Sequence, residues 1–164
     1  MSDEDRLKAL ERRVAALESG HSRTPLPDDE EDTFWALNAL RSRAPEPGAV
    51  LMAGSVQTPK GQEARWQMGA SADELFSSDF ADRAEALSAL AHPVRLRIIQ
   101  RLMADADTVQ DLVHTGEFGT SGQIYHHLRQ LTSHGWLRAS GGGRYEVPAG
   151  RVVPLLTILL GVDR

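Results

Sequence analysis

Residues 119–147, GTSGQIYHHLRQLTSHGWLRASGGGRYEV, decide the fold that we expect of this chain. TSGQ at the start matches a capping box, and Gly135 is a helix stop signal, so the stretch predicts a helix over residues 120–134. Three apolar residues at helical spacing commit one face of that helix to a core: Ile124, Leu128 and Leu131. Glycines 141–143 then allow a tight turn between two short strands, Trp136–Ser140 and Arg144–Val147.

A second, shorter helix precedes this segment. Thr108 is a suitable N-cap for the sequence VQDLVH, and Asp111 lies in the first turn, where a carboxylate suits the helix dipole. Gly116 supplies the stop, and the chain turns through GEFG into the next helix. The sequence therefore predicts a helix-turn-helix followed directly by a two-stranded ribbon.

The exposed face of the second helix is almost free of acid. Its outward positions are Gln123, His126, Arg129 and Gln130. Residues 119–151 contain four arginines and one acid, Glu146, although the whole chain has a net charge of −5. The negative charge is concentrated in residues 1–32, which contain ten acids and five bases. A local basic surface on an acidic protein predicts an anionic partner.

The composition excludes several classes of protein. The 164 residues include no cysteine, so disulfides, thiolate metal sites and thiol redox chemistry are excluded. No stretch has the length and apolar character of a membrane span, and the start, MSDEDRLKALERR, is too charged for a secretory signal. We therefore expect a cytoplasmic protein without a membrane partner. Sixteen arginines against two lysines are a weak indication of a GC-rich bacterial genome.

We divide the chain into four parts. Residues 1–19 carry an apolar seam at heptad-like spacing, formed by Leu7, Leu10, Val14 and Leu17, which predicts a short amphipathic or coiled-coil helix. Residues 20–32 are acidic and interrupted by proline, so we expect a disordered linker. Residues 33–78 are expected to form an accessory region with a helix and a β-hairpin, and residues 79–164 the main domain.

The accessory region begins with a helix over Thr33–Arg43, which ends before Pro45. Two extended stretches, Gly48–Val56 and Glu63–Ala70, are separated by the turn signal TPKGQ and predict the hairpin. The hairpin carries four large apolar side chains, Val50, Met52, Trp66 and Met68. They either cover an apolar pocket or close the core, and we favour packing in the core. An amphipathic segment follows, and its expected buried side consists of Phe80, Ala84, Leu87 and Leu90.

The main domain resembles a known family. LAHPVRLRIIQRLM, then SGQIYHHLRQLTSHGWL, then GGGRYEV resemble the winged helix-turn-helix transcriptional regulators of the arsenic-repressor (ArsR) family. The resemblance covers about residues 80–160. It implies a mainly α fold with a small β component, in which the helix containing HHL enters the major groove, the ribbon is the wing, and flanking helices form a homodimer.

The resemblance also implies which residues face double-stranded DNA. The residues that would meet bases and phosphates are Gln123, Tyr125, His126 and Arg129, and Arg144 would be the contact at the tip of the wing. Thr120, Ser121 and Gln130, at the start and on the outward face of the same helix, complete the set of candidates. Glutamine can read an adenine edge, and arginine suits guanine or phosphate.

Each of these residues also has a simpler interpretation. Gln123 can serve the capping box, His126 can be merely solvated, Arg129 can pair with Glu117, and Tyr125 can lean inward. His127 lies between Ile124 and Leu131 on the helix, so we interpret it as a core-facing, hydrogen-bonded histidine rather than a DNA contact.

Metal sensing is not expected. The family members that sense metals use cysteine pairs, or Asp and His on the last helix, and the last helix here, AGRVVPLLTILLG, offers no ligand before Asp163. His127 and His134 are two helical turns apart, about 10 Å, which is too far to share one ion. No cofactor is implied. Three possibilities for the regulatory signal stay open: a small-molecule effector, a partner protein, or no effector at all.

The last helix indicates a dimer. Its apolar residues cover nearly all directions, which for a helix at a chain end predicts burial on more than one side. One side belongs to its own domain, and the other fits a second subunit.

The sequence therefore favours a homodimeric, sequence-specific DNA-binding regulator, a repressor if it follows its family. No catalytic constellation is found, so we do not expect an enzyme. The alternative is a winged helix kept as a protein-interaction module, which recruits a partner through the N-terminal region.

Overall fold

The computed structural model describes residues 33–163, so the helix and the linker expected over 1–19 and 20–32 lie outside the described residues. The chain divides between Arg43 and Ala44 into two compact units. The described part of the first unit contains helix α1 (Trp35–Arg41), which lies within the predicted span Thr33–Arg43.

The second unit carries the remaining elements in this order: β1 (Ala49–Gln57), β2 (Glu63–Ser71), α2 (Ala72–Ser77), a 3₁₀ turn (Phe80–Arg83), α3 (Ala84–Leu90), α4 (Pro93–Ala104), α5 (Val109–His114), α6 (Ser121–Ser133), β3 (Arg138–Gly141), β4 (Arg144–Glu146) and α7 (Ala149–Val162). The described residues thus form a mixed α/β structure whose strands make two antiparallel hairpins.

The first hairpin, β1–β2, has one face against α7. Gly54 permits this contact, because a Cβ at that position would lie 2.7 Å from Cγ1 of Val153, whose side chain is buried. Ala64, on the same face, is also buried. The hairpin therefore belongs to the same compact unit as residues 79–164, rather than to an accessory region of its own.

Only part of that face reaches the core. Met52 packs against the buried cluster, whereas Val50 and Met68 are 59% and 56% exposed. Trp66 lies against Gly150 and keeps 42% of its surface exposed. The interpretation that these residues close the core is correct for Met52 and wrong for Val50 and Met68, which lie toward the open end of the hairpin, beyond the contacts of Gly54 and Trp66 with α7.

The predicted amphipathic segment over 80–90 is not one continuous helix. Asp79 accepts a hydrogen bond from the Ala81 amide and begins the 3₁₀ turn, and α3 begins after it. A 3₁₀ turn has three residues per turn rather than 3.6, so it shifts the phase of the apolar repeat between Phe80 and the residues of α3. Of the four residues expected on the buried side, Leu90 is buried, whereas Phe80, Ala84 and Leu87 are exposed.

The core lies among α3 to α7. Pro93 begins α4 in the first turn of the helix, as expected, and the His92 side chain caps it by accepting the Val94 amide. The residues with no exposed surface are Ile98, Leu112, Ile124, Leu128, Leu131 and Val152. They come from four helices, so burial in one shared core fixes these helices against each other.

The second hairpin, β3–β4, turns through three glycines. Gly141, Gly142 and Gly143 have φ values of +87°, +59° and +73°, a region that disfavours side chains with a Cβ. The predicted first strand began at Trp136, but Trp136 and Leu137 are buried and the strand begins at Arg138.

A set of polar contacts around Asp107, here named the Asp107 junction, joins several elements. Lys60, in the turn of the first hairpin, donates to the Ala106 carbonyl and to the Asp107 carboxylate. The Asp107 carbonyl accepts the Tyr145 amide of β4 at 2.9 Å. The Asp107 amide donates to Asp111 in α5 at 3.0 Å. The first hairpin, the second hairpin and the start of α5 therefore meet at one residue.

Within residues 33–163, no helix has both the length and the apolar character needed to cross a bilayer.

Candidate nucleic-acid interface

Two capping boxes define the helix pair α5–α6. Thr108 accepts the Asp111 amide, and the Asp111 carboxylate accepts the Thr108 amide at 2.8 Å. The Asp111 carboxylate accepts hydrogen bonds from the Asp107 amide and from the amide and hydroxyl of Thr108. These bonds, of which the one from Asp107 has the largest effect, lower the pKa of Asp111. Thr120 and Gln123 make the same reciprocal arrangement at the start of α6. Both helices therefore begin where the sequence predicts.

Gly119 is required at the entrance to α6. Its φ is +76°, and a Cβ there would lie 2.3 Å from Oε1 of Gln123. That oxygen accepts the Thr120 amide at 2.8 Å. The carbonyl end of the Gln123 side chain is thus engaged in the cap, and this limits the role of Gln123 as a reader of bases.

The outer face of α6 follows from its buried face. With 100° per residue, Ile124, Leu128 and Leu131 define one side of the helix, and His126 lies nearly opposite. Arg129 lies on one shoulder of the outer face. Gln130 lies on the other shoulder and is half-buried.

Most of the remaining predicted residues are also exposed. Thr120, Ser121 and His126 are exposed, and Arg144 stands at the end of the glycine turn. Tyr125 is 49% exposed, so it does not lean fully inward.

A cleft lies between α6 and the second hairpin, and we name it the helix–hairpin cleft. Its volume is about 390 Å³, and its lining consists of Tyr125, Arg129, Thr132, Ser133, Ala139 and Tyr145. The cleft brings Tyr125 and Arg129 together. Sequence reasoning missed Thr132, Ser133 and Tyr145, although spacings of seven and four residues from Tyr125 and Arg129 place Thr132 and Ser133 on the same side of the helix.

The four arginines of residues 119–151 are not equivalent. Arg138 pairs with Glu146 across the second hairpin. The Arg151 guanidinium lies 5.1 Å from the ring centroid of Trp136 and packs on that side chain. Arg129 and Arg144 make no ion pair with any residue in the described range 33–163, so the alternative in which Arg129 pairs with Glu117 is not observed. Of these four arginines, Arg129 and Arg144 therefore have neither an acidic nor an aromatic partner among residues 33–163, and we call them the uncommitted cations.

The opposite shoulder of α6 borders a different groove. Gln130 and His134 line it together with Glu85 and Arg95, and its volume is about 400 Å³. His134 Nδ1 lies 2.9 Å from the Gln130 carbonyl, and Nε2 lies 3.7 Å from Glu85. Arg95 donates to the carbonyls at the end of α3. Gln130 therefore faces α3 and α4 rather than the helix–hairpin cleft.

His127 differs in one respect from its expected role. It is half-buried, with its ring centroid 4.9 Å from that of His92, but its buried Nδ1 has no hydrogen-bond partner among the described residues. The expectation of a hydrogen-bonded histidine is wrong for that nitrogen. Burial lowers the pKa of His127, and the neighbouring His92, His126 and Arg95 lower it further, because no acid offsets their charge there.

Among residues 33–163, no cluster of three or more His, Asp or Glu side chains is arranged to hold a metal ion. The chemistry that the outer face of α6 offers is hydrogen bonding, aromatic contact and attraction of anions. Comparisons with protein-family models, with curated proteins and with solved structures return no match for this chain.

Proposed function

We propose that the chain is a homodimeric, sequence-specific DNA-binding transcriptional regulator of the winged helix-turn-helix, ArsR-like class, and a repressor. In this proposal α6 is the recognition helix, the second hairpin is the wing, and no metal is sensed. The observation that carries it is the pair of uncommitted cations, Arg129 and Arg144, on a capped helix and an adjoining glycine turn.

The geometry of α6 supports a separate role for each residue in this proposal. His126 points away from the core and meets base edges in the major groove, which admits an α-helix. Arg129, together with the hydroxyl groups of the helix–hairpin cleft, contacts backbone phosphate. Arg144, at the tip of the wing, makes a second phosphate contact. Ser121 presents its amide group at the start of α6, where an anion is favoured, whereas the Thr120 amide is engaged by Gln123.

The homodimer is supported by α7. Val152, Val153 and Leu155 are buried within the compact unit, whereas Leu156 and Leu160 are 37% and 66% exposed. Residues four apart lie on one side of a helix, so these two leucines form a stripe that a second subunit would cover. Two recognition helices about 34 to 36 Å apart would then match one turn of a palindromic site.

The test is the salt dependence of binding to duplex DNA. Selection from a random duplex library gives the site, and fluorescence anisotropy at several salt concentrations gives the slope of log K against log [salt]. Each phosphate contact contributes about −0.9 to that slope. Arg129→Gln removes one contact from each subunit, so the slope of a dimer becomes shallower by about 1.8, and that of a monomer by about 0.9.

Arg97→Gln is the matched control, because Arg97 is an exposed arginine on α4 outside the proposed interface. His126→Ala should reduce discrimination between the selected site and a scrambled one, whereas Arg144→Gln should weaken binding to both equally. Failure of the wild-type chain to bind any duplex at low salt would overturn the proposal.

The alternative is that the unit recruits a protein partner through its N-terminal part. The observation favouring it is the exposed apolar part of the first hairpin, where Val50 and Met68 are mostly exposed and Trp66 is covered only in part. Met68→Ser tests this alternative, because under the DNA-binding proposal duplex affinity is unchanged in that variant.

A further inference from the structure

A mainly apolar cavity in the second unit lies away from α6, beside the first hairpin. Its volume is about 480 Å³, and the lining is mainly apolar: Pro47, Gly48, Ala49, Val50, Ala72, Leu75, Phe76, Phe80 and Arg83. The start of β1 forms one wall, and α2 with the 3₁₀ turn forms the other. The size falls within the range of about 300 to 1,000 Å³ that is usual for small-molecule sites.

Three large apolar side chains around this cavity contribute little to the core. Val50, Phe76 and Phe80 are 59%, 78% and 63% exposed. Exposed apolar residues are ordinary when scattered singly, but here they converge on one concave surface. A ligand with an apolar body would cover them at a small cost in protein rearrangement.

One charged residue, Arg83, lines the cavity. One of its terminal nitrogens donates to the Asp79 carbonyl at 2.9 Å, and Arg83 makes no ion pair with any residue of the described part of the chain. The guanidinium therefore keeps donors for a ligand.

Two acids near the cavity are engaged in helix caps and make no ion pair with Arg83. Glu74 accepts the Ser71 amide at 3.0 Å, and Asp79 accepts the Ala81 amide at 2.9 Å, so both carboxylates serve as helix caps.

The geometry points to a binding site for a small apolar carboxylate in this cavity. The apolar body lies among Val50, Phe76 and Phe80, and the carboxylate accepts a charge-assisted hydrogen bond from Arg83.

The first hairpin gives the ligand a physical route to the DNA-binding surface. Gly54 packs on Val153 of α7, and Lys60 reaches Ala106 and Asp107 at the Asp107 junction, next to the second hairpin. A ligand that repositions the start of β1 therefore acts on both contacts. This regulatory step rests on the proposed function, whereas binding of the carboxylate does not.

The experiment compares two probes of equal length, decanoate and decanol, by isothermal titration calorimetry on the full-length chain. We expect decanoate to bind more tightly than decanol. Arg83→Gln should weaken decanoate binding about tenfold or more and leave decanol binding unchanged, since a hydrogen bond to a charged group is worth at least that factor. Phe76→Ala should weaken both probes.

The matched controls are Arg97→Gln for the charge and Phe34→Ala for the ring, because both residues are exposed and lie outside the cavity lining. Phe76 is mostly exposed, so its truncation should not unfold the chain, and the melting temperature checks this. The inference is overturned if decanoate does not bind, if Arg83→Gln weakens both probes equally, or if Phe76→Ala instead dissociates a dimer, which would assign the surface to a second copy.

DNA binding is measured separately. If the selected duplex binds and decanoate changes its affinity in the wild type but not in Arg83→Gln, the site is regulatory. If no duplex binds while decanoate does, the proposed function fails and the ligand site stands. If the duplex binds and decanoate does not, the ligand site fails and the proposed function stands.

Discussion

Gly54→Ala is expected to destabilise the second unit, although the added methyl group is apolar. The new Cβ would lie 2.7 and 3.2 Å from the two methyl carbons of Val153, which is 3% exposed. Overpacking of this kind costs about 1 to 3 kcal/mol. Alanine also restricts the backbone of the unfolded chain, which stabilises the folded state by about 0.4 to 1 kcal/mol and offsets part of this cost.

The net expectation is a loss of about 1 to 2 kcal/mol in the free energy of unfolding, and about 3 to 10 °C in melting temperature. Calorimetry and urea denaturation measure the two quantities. Gly161→Ala is the matched control, because a Cβ at Gly161 in α7 meets nothing within 4 Å. It should be neutral or slightly stabilising, since alanine favours a helix over glycine.

A double-mutant cycle identifies the cause. Val153→Ala removes both clashing methyl groups and is itself destabilising, because it opens a cavity. In that background Gly54→Ala should cost nothing, which gives a coupling energy of about 1 kcal/mol or more. The reasoning is refuted if Gly54→Ala is as stable as the wild type, or if its cost persists in the Val153→Ala background.

Three further predictions concern stability. The lowered pKa of His127 means that the unfolded state binds more protons as pH falls below about 6.5, so stability should decrease over that range. His127→Leu should flatten the dependence of melting temperature on pH between 7.5 and 5; an unchanged profile would contradict the role of burial. The pKa of Asp111 is also lowered, so Asp111→Asn should reduce stability at neutral pH and abolish part of the loss on acidification below about pH 4, as urea denaturation at each pH would show. Trp136→Phe removes the hydrogen bond from Nε1 to the Ala86 carbonyl, 2.9 Å long, and should cost about 1 to 3 kcal/mol in urea denaturation; a cost near zero would mean that α3 is not held by this bond.

Local signals in the sequence predicted the part of the fold around α6. Capping boxes and glycine stops involve residues three or four apart, so Thr108, Thr120 and Gly116 identify helix ends without knowledge of the tertiary structure. The same holds for the glycine turn of the second hairpin. The boundaries of α5 and α6 follow from these short-range contacts.

Features that depend on distant contacts were not predictable in this way. Glycine weakens a strand, so nothing nearby in the sequence explains Gly54. The structure explains it, because a Cβ at this position would clash with Val153 on the last helix. A continuous helical repeat predicts burial of Phe80 and Leu87. The 3₁₀ turn breaks that repeat at Phe80, whereas Leu87 lies within α3 and is exposed because no other element of the described residues covers it. Periodicity gives the direction of a side chain relative to its own helix, but not whether another element covers it.

In the candidate site, too, local features could be predicted from the sequence, whereas features that need distant contacts could not. Exposure of His126 and Arg129 follows from the spacing of the buried residues on α6. The commitment of Arg138 to Glu146 and of Arg151 to Trp136 needs the second hairpin and α7 in place, and counting arginines overestimated the free charge. The helix–hairpin cleft, with Tyr145, exists only after the second hairpin folds beside α6.

The Asp107 junction has a consequence for the exchange of amide protons with solvent deuterium. The amides of Asp107, Thr108 and Tyr145 donate to partners within the junction, although Tyr145 belongs to a short, exposed hairpin that would otherwise fray. Since the hydrogen bonds share residues, the base of that hairpin cannot open without disturbing the cap of α5. These three amides should therefore exchange as one group and more slowly than the rest of the hairpin, which makes residues 107–111 and the base of β4 a single cooperative unit.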